Sequence, residues 1–216
     1  MQGPVDSSGV DHEEREYSKV IPSRMNRKPM TQHVHEEWDS KGTKQRSLES
    51  LVEIVRELKC LGKRIVVANG IFDLIHAGHV RYLNAAKDHG DILIVAINDD
   101  ASAHYLKGPG RPIVSIDERA EIIAAMECVD YVVTFSEVRL DRLLQVLCPD
   151  IHAKGTDYTV ETVPEQDIVR SYGGEVVIVG GPKVSSSTRI VEKVYNACTG
   201  SPVEDEGHRA KHEKAG

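Results

Sequence analysis

Two histidines three residues apart, His76 and His79, stand at the end of the segment Asn69-Gly70-Ile71-Phe72-Asp73-Leu74-Ile75-His76-Ala77-Gly78-His79. One helical turn brings such a pair onto a single face, so both imidazoles can address the same ligand. Paired imidazole donors suit the negative charge that develops when a phosphorus centre is attacked. Gly70 and Gly78 fit the same chemistry. Gly70 lets the backbone turn closely past a ligand. Gly78 permits close approach at a helix start, where unpaired N–H groups and the helix dipole draw phosphate. An H-x-x-H spacing is often incidental; its place directly after an apolar strand gives it weight.

Those residues need elements to hold them. Leu48, Leu51, Val52, Val55 and Leu58 recur at helical spacing, with Ser47 or Ser50 as cap and Gly62 as stop. The β-branched run Arg64–Asn69 reads as a buried strand, 79–89 as a helix ending at Gly90, and Ile92–Ile97 as a second strand. Ser115-Ile116-Asp117-Glu118 has capping-box spacing and opens a helix to about Glu127. A third strand at Tyr131–Phe135, a helix at Leu140–Leu147 and a short fourth strand at Ile151–Lys154 follow. Thr162-Val163-Pro164-Glu165 again has capping spacing, Val176–Val179 is the fifth strand, and a last helix runs from about Ser187 to Ala197. Strands apolar on both faces, alternating with helices, predict a doubly wound, Rossmann-like α/β domain: a five-stranded parallel sheet with helices on both faces. Ligands in that architecture bind beyond the carboxyl ends of the strands, which is where the histidine pair falls.

Composition sets the boundaries. The 216 residues carry 27 Lys+Arg against 34 Asp+Glu, a net charge of −7. Most of that excess lies in 47–198, with 16 basic and 22 acidic side chains. An acidic surface argues against nucleic-acid or anionic-membrane partners. The longest apolar run, Ile92–Ile97, is far too short for a membrane span, and the polar N-terminus does not resemble a secretory signal. Cys60, Cys128, Cys148 and Cys198 show no paired spacing, so buried thiols in a reducing, cytoplasmic setting are expected, with no metal site. Residues 1–46, which include Trp38, and 199–216 lack an apolar period and read as flexible tails flanking a domain at 47–198.

The segment Asn69–His79 resembles the strand–loop–H-x-G-H element of the nucleotidyltransferase superfamily that includes cytidylyltransferases and pantetheine-phosphate adenylyltransferase. The run Lys107-Gly108-Pro109-Gly110-Arg111-Pro112-Ile113 is similar to the adenylyltransferases that make ADP-heptose from D-glycero-β-D-manno-heptose 1-phosphate. So are Val95–Asp100, Asp117-Glu118-Arg119, Cys128–Val133 and Lys154-Gly155-Thr156-Asp157-Tyr158, in the same order from about Lys63 to Val194. The resemblance implies an ATP- and Mg²⁺-dependent transfer of AMP to a sugar 1-phosphate. His76, His79, Lys107 and Arg119 would be catalytic. Gly70, Ile71, Phe72, Asp73, Gly78, Lys154, Asp157, Ser186, Ser187 and Thr188 would join the two histidines in holding the nucleotide. Asn98, Asp99, Lys107 and Arg111 would meet the sugar phosphate. For Asp99 a plain loop cap is the competing reading. Arg119, in the first turn of its helix, sits mildly against the dipole, and that conflict favours a functional role.

The family's habit implies a homodimer. It also implies a separate kinase, since many members are fused to one and this chain has no room for it. Gly180–Lys183 and Thr156 depart from the usual pattern, both on the expected sugar side. The competing expectations are a cytidylyltransferase acting on glycerol 3-phosphate and a nucleotide-binding module without turnover.

Overall fold

A computed structural model describes residues 44–181 and 186–200. Its centre is a parallel sheet of β1 (Ile65–Gly70), β2 (Ile92–Asn98), β3 (Tyr131–Phe135), β4 (Ile151–Gly155) and β5 (Glu175–Val179), in the order β3-β2-β1-β4-β5. Period-two alternation divides β1 between two cores. Ile65 and Val67 pack with Leu51, Val55, Leu144 and Val169, while Val66 and Ala68 pack with Leu83, Ala86, Ala120 and Ile123. The first set of partners lies on α1 (Leu48–Cys60), α5 (Asp141–Leu147) and α6 (Gln166–Ser171). The second lies on α2 (Ala77–Lys87) and α4 (Ile116–Ala124). Helices therefore cover both faces, as the doubly apolar strands require.

The chain order reverses beside β1. Strands β2 and β3 build outward on one side, β4 and β5 on the other, so the crevice between the carboxyl ends of β1 and β4 is the topological switch point. The connection from β4 passes through a short 3₁₀ turn, Val160–Thr162, and α6 to β5; α7 (Ser187–Thr199) ends the described chain.

Four boundaries differ from the sequence reading. The folded part begins by Lys44 rather than at 47, because Val132 N–H donates to the Lys44 carbonyl (2.8 Å) and Arg46 N–H to that of Val132 (2.9 Å). Helix α2 opens two residues early, at Ala77, with His76 as its cap. An unexpected helix, α3, spans Asp100–Lys107 with Asp99 as cap, so Lys107 ends a helix. The Thr162–Glu165 capping box does not form: Thr162 pairs with Thr159 around the 3₁₀ turn, and Glu165 precedes α6 without capping it. The expectations for 1–43, 182–185 and 201–216 lie outside the described residues. Among the described residues no helix is long and apolar enough to cross a membrane. The four cysteines are free thiols, but Cys60 and Cys198 are exposed and Cys128 and Cys148 half-buried, where buried thiols are expected from the sequence.

Candidate active site

The site starts where β1 ends. A Cβ on Gly70 would stand 3.1 Å from the Phe72 ring, so only glycine fits there without displacing that ring. Phe72 adopts a left-handed backbone (φ 51°) and turns its ring inward, edge-on to His79 (5.4 Å between centroids) and stacked on Tyr82 (6.4 Å). It supports the histidine from beneath and is buried, where the sequence reading has it holding nucleotide.

His76 and His79 cap α2 reciprocally. The Nδ1 of His76 accepts the Gly78 N–H (3.1 Å), and the Nδ1 of His79 accepts the His76 N–H (3.4 Å). The rings stack at 3.9 Å between centroids, 20° from parallel. Burial, with His76 alongside, pushes the His79 pKa down to about 4. A neutral ring whose Nδ1 accepts carries its proton on Nε2, so the caps select the tautomer and leave Nε2–H as the donor.

Burial and its charged neighbours also set a pH dependence. Unfolded, His79 takes up its proton near 6.5 and folded only near 4, so stability is lost as pH falls through that interval. For Glu165, burial alone would raise the carboxyl, but the neighbouring His152 N–H and the Lys154 charge outweigh it and hold it at about 2. Its stabilisation, complete above the ordinary value of 4.5, fades between there and 2. The melting temperature is expected to fall by roughly 5–10 °C between pH 6.5 and pH 4. In His79→Asn, scanning calorimetry should show a flatter profile over that interval.

Asp73 is the clasp of the neighbouring loop. Its Oδ1 accepts the N–H groups of Ile113 (2.8 Å) and Val114 (2.9 Å), and its Oδ2 lies 2.7 Å from Arg111 Nε. Asp73, expected to hold nucleotide, is 3 % exposed, and the Nε of Arg111, expected to meet the sugar phosphate, lies against it. Together they pin the 108–114 loop to the histidine loop.

Arg119, expected among the catalytic residues, is engaged still more completely. It is fully buried. Its guanidinium donates to the carbonyls of Val114 (3.0 Å), Ile71 (2.5 Å) and Asn98 (2.8 Å) and to Asp100 Oδ1 (2.8 Å). It lies behind the site, and Ile71 serves it through its backbone. Asn98 and Asp99 are likewise engaged. Asn98 Nδ2 donates to Ser102 Oγ and the Glu137 carbonyl, and Asp99 Oδ1 accepts from the Ser102 N–H (2.7 Å) and hydroxyl (2.7 Å). The capping role is the one the structure assigns to Asp99.

Lys154, on β4, sits across the switch point from β1 and donates to Asn69 Oδ1 (3.0 Å), with its ammonium over the Tyr158 ring (5.1 Å). At the other side of the site, Ser187 Oγ donates to the Leu74 carbonyl (3.1 Å), which docks the start of α7 beside the histidine loop. Ser186 caps α7 by accepting the Arg189 N–H (3.1 Å), and Thr188 is exposed in its first turn. The structure thus brings His76, His79, Gly78 and the start of α7 together, with Lys154 on the strand beside β1. Lys107 and Asp157 lie exposed at the ends of α3 and β4. Asn69 and His152, beside the crevice, take no role from sequence spacing, and Glu165 carries a misleading signal, since its spacing from Thr162 imitates a cap.

The cytidylyltransferase-like family matches this chain over residues 67–203. The chain belongs to this family of nucleotidyltransferases. The chain is similar to the bifunctional protein HldE of Ectopseudomonas mendocina, 49% identical over 150 residues, 69% of this chain and 32% of that protein. The HldE of Syntrophotalea carbinolica is 47% identical over 160 residues, 74% of this chain and 32% of that one. The chain therefore spans about a third of the length of these curated relatives. A crystal structure of the lipopolysaccharide core biosynthesis protein from Thermoplasma volcanium GSS1 superposes with a TM-score of 0.50 at 27% identity, covering 56% of this chain and all of that one.

Proposed function

We propose that this nucleotidyltransferase moves AMP from ATP to a sugar 1-phosphate, D-glycero-β-D-manno-heptose 1-phosphate, and releases pyrophosphate. The observation that carries the reading is the reciprocal histidine cap, two imidazoles whose acceptor nitrogens are occupied and whose donors sit at a helix N-terminus. A phosphate oxygen of the sugar attacks the α-phosphorus in line; the new P–O bond forms as the bond to pyrophosphate breaks. No covalent enzyme intermediate is involved, so catalysis is positioning and charge stabilisation. The Nε2–H groups of His76 and His79 donate to α-phosphate oxygens, most strongly as charge builds there. Ser186, Ser187 and Thr188 receive the β- and γ-phosphates at the α7 N-terminus. Lys107 and Lys154 supply positive charge, and Asp157 reaches the nucleotide. Magnesium enters as part of the nucleotide substrate, bound to its phosphates.

The choice of sugar is supported by the Lys107–Ile113 run, by the HldE identities and by the lipopolysaccharide name of the solved relative. A cytoplasmic homodimer supplied with its substrate by a sugar kinase completes the proposal. The expected result is pyrophosphate release from ATP that requires both heptose 1-phosphate and Mg²⁺. Turnover of CTP with glycerol 3-phosphate in its place would reject the sugar assignment. Tight ATP binding without pyrophosphate release across a panel of sugar phosphates would reject catalysis.

A further inference from the structure

Beneath the switch point lies a group of buried polar side chains of which the reaction proposed above uses only Lys154. Lys154 and Glu165 have side chains 9% and 5% exposed, and Lys154 Nζ stands 3.4 Å from Glu165 Oε2. His152, fully buried on the same strand, places Nε2 3.8 Å from that oxygen, and neither of its ring nitrogens comes within hydrogen-bond distance and angle of a partner among the described residues. Glu165 Oε2 also lacks such a bond. These are charge contacts with room to tighten. The local sequence gives Glu165 a simpler use, because it occupies the cap position of α6, yet its side chain makes no cap bond there and reaches into the core. A residue that forgoes its local bond for a buried contact is answering to something other than its own helix.

We infer that Glu165 is a positioning residue: its buried carboxylate keeps the Lys154 ammonium charged and docked on Asn69, at the mouth of the crevice that takes the nucleotide. The last clause rests on the function proposed above. The physical need is plain. A buried ammonium without an anion sheds its proton, and a neutral amine offers a phosphate little. Burial already lowers the Lys154 pKa, Glu165 opposes that, and Arg139 adds to it. The other groups facing Lys154 are His152, whose own pKa burial lowers, the Tyr158 ring, and Tyr82, whose hydroxyl donates to the Ala153 carbonyl (2.8 Å). Glu165 is thus the carboxylate on which the charge of Lys154 depends. Asn69, one residue before Gly70, links that charge to the histidine loop.

The test uses the full chain labelled with ¹³C-lysine, with Lys154→Arg to assign the resonance. In Glu165→Gln the Lys154 ¹³Cε midpoint is expected to move at least about one pH unit lower than in wild type, and in Glu165→Asp by less than half as much. ATP affinity in Glu165→Gln should fall roughly tenfold about one pH unit above the variant's measured Lys154 midpoint and recover most of that about one unit below it, where the amine is protonated again. A purely structural lesion would lower affinity equally at both pH values; that outcome, or an unmoved Lys154 midpoint, overturns the inference. Should Glu165→Gln fail to fold, the wild-type Glu165 ¹³Cδ titration decides: ionisation kept to about pH 2 supports the coupling, and an ordinary midpoint of 4.5 overturns it. If wild-type protein binds no ATP, the functional reading fails alone, because the lysine titration still settles the coupling.

Discussion

Replacing His79 by alanine is expected to lower kcat at least about a hundredfold while KM for ATP changes less than about threefold. The asymmetry follows from where the ring spends its two nitrogens. Nδ1 accepts the His76 N–H at 3.4 Å, a long bond whose loss costs the helix about 0.5–1 kcal/mol. Nε2–H is the donor assigned to the α-phosphate, and one such donor is worth roughly a hundredfold or more in kcat because it strengthens only as charge develops. The melting temperature should therefore fall by only a few degrees. His76→Ala should resemble it in rate, since removing either ring also removes the stacking partner and cap that orient the other. The double variant should then be little slower than either single one, as for residues that act as a unit. Steady-state rates with pyrophosphate detection measure all three. An unchanged kcat in His79→Ala would leave the pair as a helix cap and nothing more.

The legibility of this chain was uneven, for physical reasons. Strands and most helices could be read because burial on two faces imposes an apolar run or period that each segment carries by itself. The histidine pair was legible for the same reason, being set by local spacing and one preceding strand. Helix α3 was not: it has eight residues, of which only Ser102 and Ala103 are buried, so it shows no apolar period. The charged residues were legible as charges but not as roles. Whether a guanidinium faces a phosphate or a carbonyl depends on partners far along the chain. Arg119 meets Ile71 across 48 residues, and Arg111 meets Asp73 across a turn of the fold. Glu165 was hidden behind a local pattern that its tertiary partners override. Polar tertiary contacts are what sequence spacing does not encode.

Arg119→Met is expected to destabilise the domain by about 3–5 kcal/mol, lowering the melting temperature by roughly 10–15 °C. Methionine can fill much of the volume but none of the bonding. Its introduction leaves the carbonyls of Ile71, Asn98 and Val114 without the donor that now serves all three, and releases Asp100 from its partner. Those four acceptors belong to the loop after β1, the end of β2, the clasped 108–114 loop and the first turn of α3. One side chain therefore ties together the segments that frame the crevice. Lysine should not rescue it, because a single ammonium cannot reproduce a planar fork that reaches four acceptors. Activity should fall as well, through misplacement of the histidine loop, with KM for ATP rising alongside the drop in kcat. Assays at low temperature, where more of the variant is folded, should recover part of the rate. A melting temperature equal to wild type with kcat reduced a hundredfold would instead put the guanidinium on the substrate.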